Sequence, residues 1–120
     1  MDDFEYKLDE QDLRIQKILK GINEEDEFKV FERWNNYLIK NLDFPFEAEI
    51  SEWQECGPLK EGSIIKILSI DDFYDLYGVV ANVTYKRSKY NFPLCDVEVV
   101  DKKSKNFGLI YDYSVWFANR

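Results

Sequence analysis

The chain has 120 residues, 45% of them hydrophobic and 17% aromatic, enough apolar mass for the core of a single domain and too much for wholesale disorder. Sixteen basic against 24 acidic side chains leave a formal net charge of −8, a sign that argues against nucleic acid and toward cations or basic partner surfaces. There is no His, which removes imidazole metal ligands and His-based acid–base chemistry.

Residues 9–20 have the pattern of a short helix, with Asp9 as cap, Leu13, Ile18 and Leu19 as an apolar stripe, and Gly21 as the stop. A longer helix is expected at about 24–42, capped by Asn23, with the acidic run Glu24–Glu27 at the positive end of its dipole. Phe28, Phe31, Trp34 or Asn35, Leu38 and Leu42 recur along it at helical spacing, widened by Val30 and Tyr37. Pro45 then forces extended backbone before it.

From residue 44 the period becomes two. Phe44, Phe46, Ala48 and Ile50 alternate with Glu47, Glu49 and Ser51, which predicts a strand with one apolar face. Gly57-Pro58 and Glu61-Gly62 are turn signals, and residues 63–70 and 77–86 are further strands. Between these two strands the stretch Asp71–Asp75 is expected to be an acidic loop. Lys86–Lys89 and Lys102–Lys105 are expected to be basic turns, with a strand over 90–100 between them and a closing strand over 107–118. In the 90–100 segment Tyr90, Phe92 and Leu94 hold even positions while Val97 and Val99 hold odd ones. That slip predicts a bulge or bend near Cys95-Asp96, which would re-aim Asp96. The sum is one α+β domain over 1–120, with a helical part at 1–43 packed on a small, strongly bent antiparallel SH3-like β-barrel at 44–120.

Two cysteines, Cys56 and Cys95, make neither a disulfide framework nor a four-ligand zinc site, and each is expected to be a small thiol that is at least half buried. The acidic start Met1-Asp2-Asp3 and the lack of a membrane-length apolar run point to a soluble, cytoplasmic protein. The chain has no nucleophile elbow, no phosphate-binding glycine loop and no zinc spacing, so an enzyme is not expected. Charge is unevenly placed: residues 1–61 carry 17 acids and 8 bases, residues 62–120 carry 7 and 8. Three carboxylates within Asp71–Asp75, together with Asp96 and Asp112, could gather oxygens around a hard cation. No EF-hand is formed, because Leu76 stands where its glycine belongs and Asn82 where its glutamate belongs.

The run from Trp34 to Ala48, Trp-Asn-Asn-Tyr-Leu-Ile-Lys-Asn-Leu-Asp-Phe-Pro-Phe-Glu-Ala, resembles the W-x-x-Y-L-x-x-N-L-x-F-P-F-x-A stretch of the small bacterial calcium-binding proteins of the CcbP family. The resemblance continues through Gly57-Pro58-Leu59, Asp75–Gly78, Phe92–Glu98 and Asp112–Arg120, covering about residues 28–120. It implies an acidic protein that binds or buffers Ca²⁺ without an EF-hand, with Glu47, Asp75, Asp96, Glu98 and Asp112 as metal ligands; Asp72 joins them on local grounds. Relatives commonly carry Glu-Asp where this chain has Ile39-Lys40, and a lysine there repels a cation. The alternative expectation is an acidic interaction module that docks a basic partner segment and has no specific metal site.

Overall fold

A computed structural model describes residues 3–52 and 59–120, residues 3–9 by backbone alone. Cys56 and the expected Gly57-Pro58 turn lie outside the described residues. Helix α1 spans Asp3–Ile18, so Asp9 stands inside the helix and not at its cap. Ile18 and Leu19 are buried as expected, but Leu13 is exposed. Gly21 follows with φ +85°, a left-handed conformation that terminates the helix without the clash a Cβ would bring.

Helix α2 spans Glu27–Asn41 and buries Val30, Phe31, Trp34 and Leu38. Its cap is Asp26, whose carboxylate accepts the Lys29 N–H at 3.2 Å, and not Asn23. Asn23 makes an earlier turn, accepting the Glu25 N–H at 3.0 Å. Both residues are good caps in sequence, and the chain winds into helix only after the second. Phe28, placed in the apolar stripe by its spacing, is exposed. Trp34 and not Asn35 fills the centre, with its ring against Tyr37, Tyr113 and Trp116 at centroid distances of 6.1, 5.4 and 5.6 Å.

The strands are β1 (Phe46–Ile50), β2 (Ile64–Tyr74), β3 (Gly78–Tyr85), β4 (Ser88–Pro93) and β5 (Val97–Val99). They form one antiparallel sheet in the order β4-β3-β2-β1-β5. One face buries Ala48, Ile50, Ile65, Ile67, Val79, Ala81, Val83, Phe92, Val97 and Val99. β2 does not stop at residue 70. It runs on through Asp71 and Asp72, so the expected acidic loop shrinks to a turn at Asp75-Leu76-Tyr77. Register shifts at Ile67/Ser69 and Ile70/Asp72 each insert one extra residue. These bulges bend the strand and keep Ile70 and Phe73 aligned with the inward Ala81 and Val79. The β3–β4 hairpin turns on Lys86 and Arg87, at φ 47° and 71°, a two-residue loop whose twist suits an antiparallel pair.

The slip in apolar parity appears as the bend it predicts. Strand β4 ends at Pro93, Leu94–Asp96 make a 3-10 turn, and β5 resumes with Val97 and Val99 inward. Leu94 is buried while Asp96 is half exposed.

The end of the chain corrects the sequence reading. Residues 107–118 are not a strand; helix α3 spans Lys105–Asn119. Ser104 caps it, its hydroxyl accepting the Phe107 N–H at 3.3 Å. Tyr113, Val115 and Phe117 do alternate, but the inward residues are Asn106, Ile110, Tyr113 and the partly buried Phe117, a helical spacing. Without that strand the sheet is open, with β4 and β5 as edges, and the expected barrel is not closed. Helix α3 packs on β5 and the 3-10 turn, and Gly78 lies under it. A Cβ at Gly78 would collide with Tyr113 and Phe117, and its φ of 66° further favours glycine. The Val79 N–H donates to the buried Tyr113 hydroxyl oxygen at 2.8 Å.

Candidate metal centre

Strand β1 pairs with β5 through Ala48↔Val99, Glu49↔Glu98 and Ile50↔Val97. Side chains alternate along a strand, so burying Ala48, Ile50, Val97 and Val99 puts Glu47, Glu49 and Glu98 on the opposite, exposed face. Glu49 and Glu98 stand directly across from one another, a placement that brings Cβ atoms to roughly 5 Å and is unfavourable for like charges. The alternation along 44–51 predicts Glu49 on the polar face but does not place it in the site. Its partner lies about fifty residues away, and only the ladder reveals the pairing.

The surroundings balance these charges unevenly. Glu47 faces Lys66 across the β1–β2 ladder, whereas Glu49 faces Ile64 there. Lys102 approaches Glu98 at 3.5 Å, with both groups largely in solvent, a contact worth little. At the β5 entry the Asp96 carbonyl accepts the Ser51 and Glu52 N–H groups at 2.8 and 3.3 Å. These bonds tie the 3-10 turn to the end of β1.

Cys95, on the same turn, places its thiol 3.6 Å from the Asp96 carboxylate. Burial above all, then the negative charge of Asp96 and the hydrogen bond to it, push the thiol up to about 12. It therefore stays protonated at neutral pH in the metal-free protein. The available donors are carboxylate and carbonyl oxygens, which suit a hard cation such as Ca²⁺. Among the described residues, no three Asp, Glu, Cys or His side chains are already gathered for a metal.

The six carboxylates expected to bind metal fall in three places. Glu47, Asp96 and Glu98 share the β1–β5 edge. Asp72 and Asp75 lie at the far end of β2. Glu98 aligns through Glu49 with Ile64, and Asp72 lies eight positions further along β2, two of them taken up by bulges, roughly 20 Å of strand. The Asp72 carboxylate accepts the Phe73 N–H at 2.8 Å, and that of Asp71 accepts the Tyr74 hydroxyl at 3.0 Å.

Asp112 is in a third environment, buried on α3 with its carboxylate turned toward α1. Its Oδ2 accepts from Arg14 Nε at 2.7 Å; its Oδ1 accepts from Arg14 and from Gln11 Nε2, both at 2.9 Å. Both oxygens are engaged, and the pair fastens α1 to α3 across about a hundred residues of sequence.

The family model for calcium binding named for CcbP matches residues 14–117. A crystal structure of Anabaena CcbP is similar in fold at a TM-score of 0.71 and 21% identity, covering 92% of this chain and 90% of that one. A calcium-binding protein solved in its calcium-binding form is similar at a TM-score of 0.68 and 19% identity, covering 91% and 90%. No curated protein matches the chain. The Trp34–Ala48 and Phe92–Glu98 blocks, the α+β fold and the family match over most of the length agree, and the chain belongs to the CcbP family of calcium-binding proteins.

Proposed function

We propose that the protein binds Ca²⁺ without catalysing a reaction, as a buffer or sensor, through the carboxylates of the β1–β5 edge. Glu49 and Glu98 are the central pair, Glu47 and Asp96 flank them, and water completes the coordination. The observation that carries this reading is the direct opposition of Glu49 and Glu98 in the ladder. A divalent cation there turns a repulsive pair into a bridged one. Calcium accepts six to eight oxygens at roughly 2.3–2.6 Å in adaptable geometry, whereas Mg²⁺ demands a tight octahedron and gives up water reluctantly. Carboxylates on flexible glutamate stems suit the larger ion. Asp112 is left out because Arg14 and Gln11 occupy its oxygens, and Asp72 and Asp75 because the register holds them away.

The test is thermal unfolding and titration calorimetry with Ca²⁺, with ionic strength matched by NaCl. A ligand that binds only the folded state stabilises it by about 2.7 kcal/mol at a hundredfold excess over its Kd, roughly 8–13 °C in Tm for a domain of this size. Calcium should produce such a rise and Mg²⁺ a smaller one. If matched NaCl reproduces the whole shift, screening of the −8 net charge is the cause and the centre does not exist.

A further inference from the structure

The other end of the sheet carries a different surface. Beyond Gly78, which is pinned beneath Tyr113 and Phe117, the β2–β3 hairpin projects past the core. Its tip exposes Leu76 at 74%, Tyr77 at 48% and Tyr74 at 47%. Phe73, just below, meets Phe28 edge-on at 5.3 Å and lies near-parallel to Phe31 at 6.3 Å. Phe28 is itself 63% exposed. The apolar surface therefore runs from the tip, over Phe73, onto the first turns of α2. There it meets a groove of about 240 Å³ between α2 and the end of α3, lined by Glu24, Glu27, Val30, Phe31, Trp116 and Arg120.

Carboxylates rim this surface. Asp71, Asp72 and Asp75 are exposed on the hairpin, and Glu24, Glu25, Asp26 and Glu27 lead into α2. Two cations stand among them, Lys29 and Arg120. Arg120 is folded onto the rings of Phe31 and Phe117, 5.2 and 4.2 Å from their centroids, and reaches Glu27 at 3.4 Å. Large apolar side chains exposed together, with polar groups around them, mark contact surfaces. The sign of the rim selects what lies on it: the same surface of a second copy, an anionic lipid surface or a nucleic acid would bring negative charge against negative charge.

We propose that the hairpin tip and the start of α2 form a docking surface for a basic, amphipathic segment of a partner protein. Its apolar side chains cover Leu76, Tyr77 and Phe28, and its lysines or arginines face Asp71, Asp72, Asp75 and Glu24. This surface is separate from the β1–β5 edge and does not depend on calcium binding there.

The experiment is fluorescence anisotropy in EDTA with a labelled synthetic amphipathic helix of lysine and leucine as the probe. The probe should bind saturably, and L76S/Y77S should weaken binding by about tenfold. D72N/D75N should weaken it by several fold and flatten the loss seen between about 50 and about 300 mM NaCl. D12N/E61Q removes the same charge from distant exposed sites and should leave affinity within about twofold. All substituted residues are exposed, and circular dichroism verifies that the variants fold. The proposal is overturned if D12N/E61Q matches D72N/D75N, because attraction is then only net charge. It is overturned equally if L76S/Y77S binds like the parent, or if sedimentation shows a dimer that L76S/Y77S abolishes, since the occupant is then a second copy.

Discussion

Strands β1 and β5 carry two faces built from neighbouring residues. On one, Ala48, Ile50, Val97 and Val99 are at most 5% exposed and packed under the helices; on the other, Glu47, Glu49 and Glu98 stand in water. The inner face gains from burying apolar area, about 25 cal/mol per Å². The outer face places two carboxylates opposite one another, which contributes nothing to folding. In the proposed calcium centre, stability and ion binding fall to alternate positions of the same short strands. Asp112 shows the contrast for one residue type: a buried carboxylate with fixed partners acts as a structural clamp, while the exposed glutamates remain available to a cation.

Substitutions on either side of the pleat separate the two roles. Ile50→Ala, at a fully buried position, should cost about 2–5 kcal/mol in urea unfolding and leave the calcium affinity of the folded fraction unchanged. Asp112→Asn weakens the clamp between α1 and α3. Because Arg14 remains partly in water, the cost should be about 1–3 kcal/mol, again without loss of calcium binding. Glu49→Gln, one residue from Ile50, should do the reverse. Relieving the like-charge pair should raise stability by at most about 0.5 kcal/mol, while the calcium-induced rise in Tm falls sharply. A large loss of stability in Glu49→Gln, or unchanged calcium binding, would merge the two roles that the pleat separates.

What the sequence revealed follows the range of the interactions. Local signals were readable: the helical stripe around Trp34 and Leu38, the alternation from Phe46 to Ile50, and the slip between Leu94 and Val97 that became the 3-10 turn. Two errors came from competing local patterns. Tyr113, Val115 and Phe117 satisfy a period of two, while Ile110, Tyr113 and Phe117 satisfy a helix face, and the Ser104 cap is the arbiter between them. Asp71 and Asp72 look like loop residues, but pairing with β3 and two bulges carry them in a strand. The candidate site was half legible. Glu47, Asp96 and Glu98 stand at one edge, whereas Glu49 became visible only through a non-local register, and the pairing of Asp112 with Arg14 joins helices from opposite ends of the chain. No local pattern encodes such contacts.

The most direct measurement is a Ca²⁺ titration followed residue by residue by ¹H–¹⁵N NMR at constant ionic strength. Amide shifts should concentrate at residues 47–52 and 95–100 and saturate together, with residues 71–77 and 112 unmoved. Shifts centred on the β2–β3 hairpin, or spread evenly over the acidic surface, would contradict a calcium centre between Glu49 and Glu98.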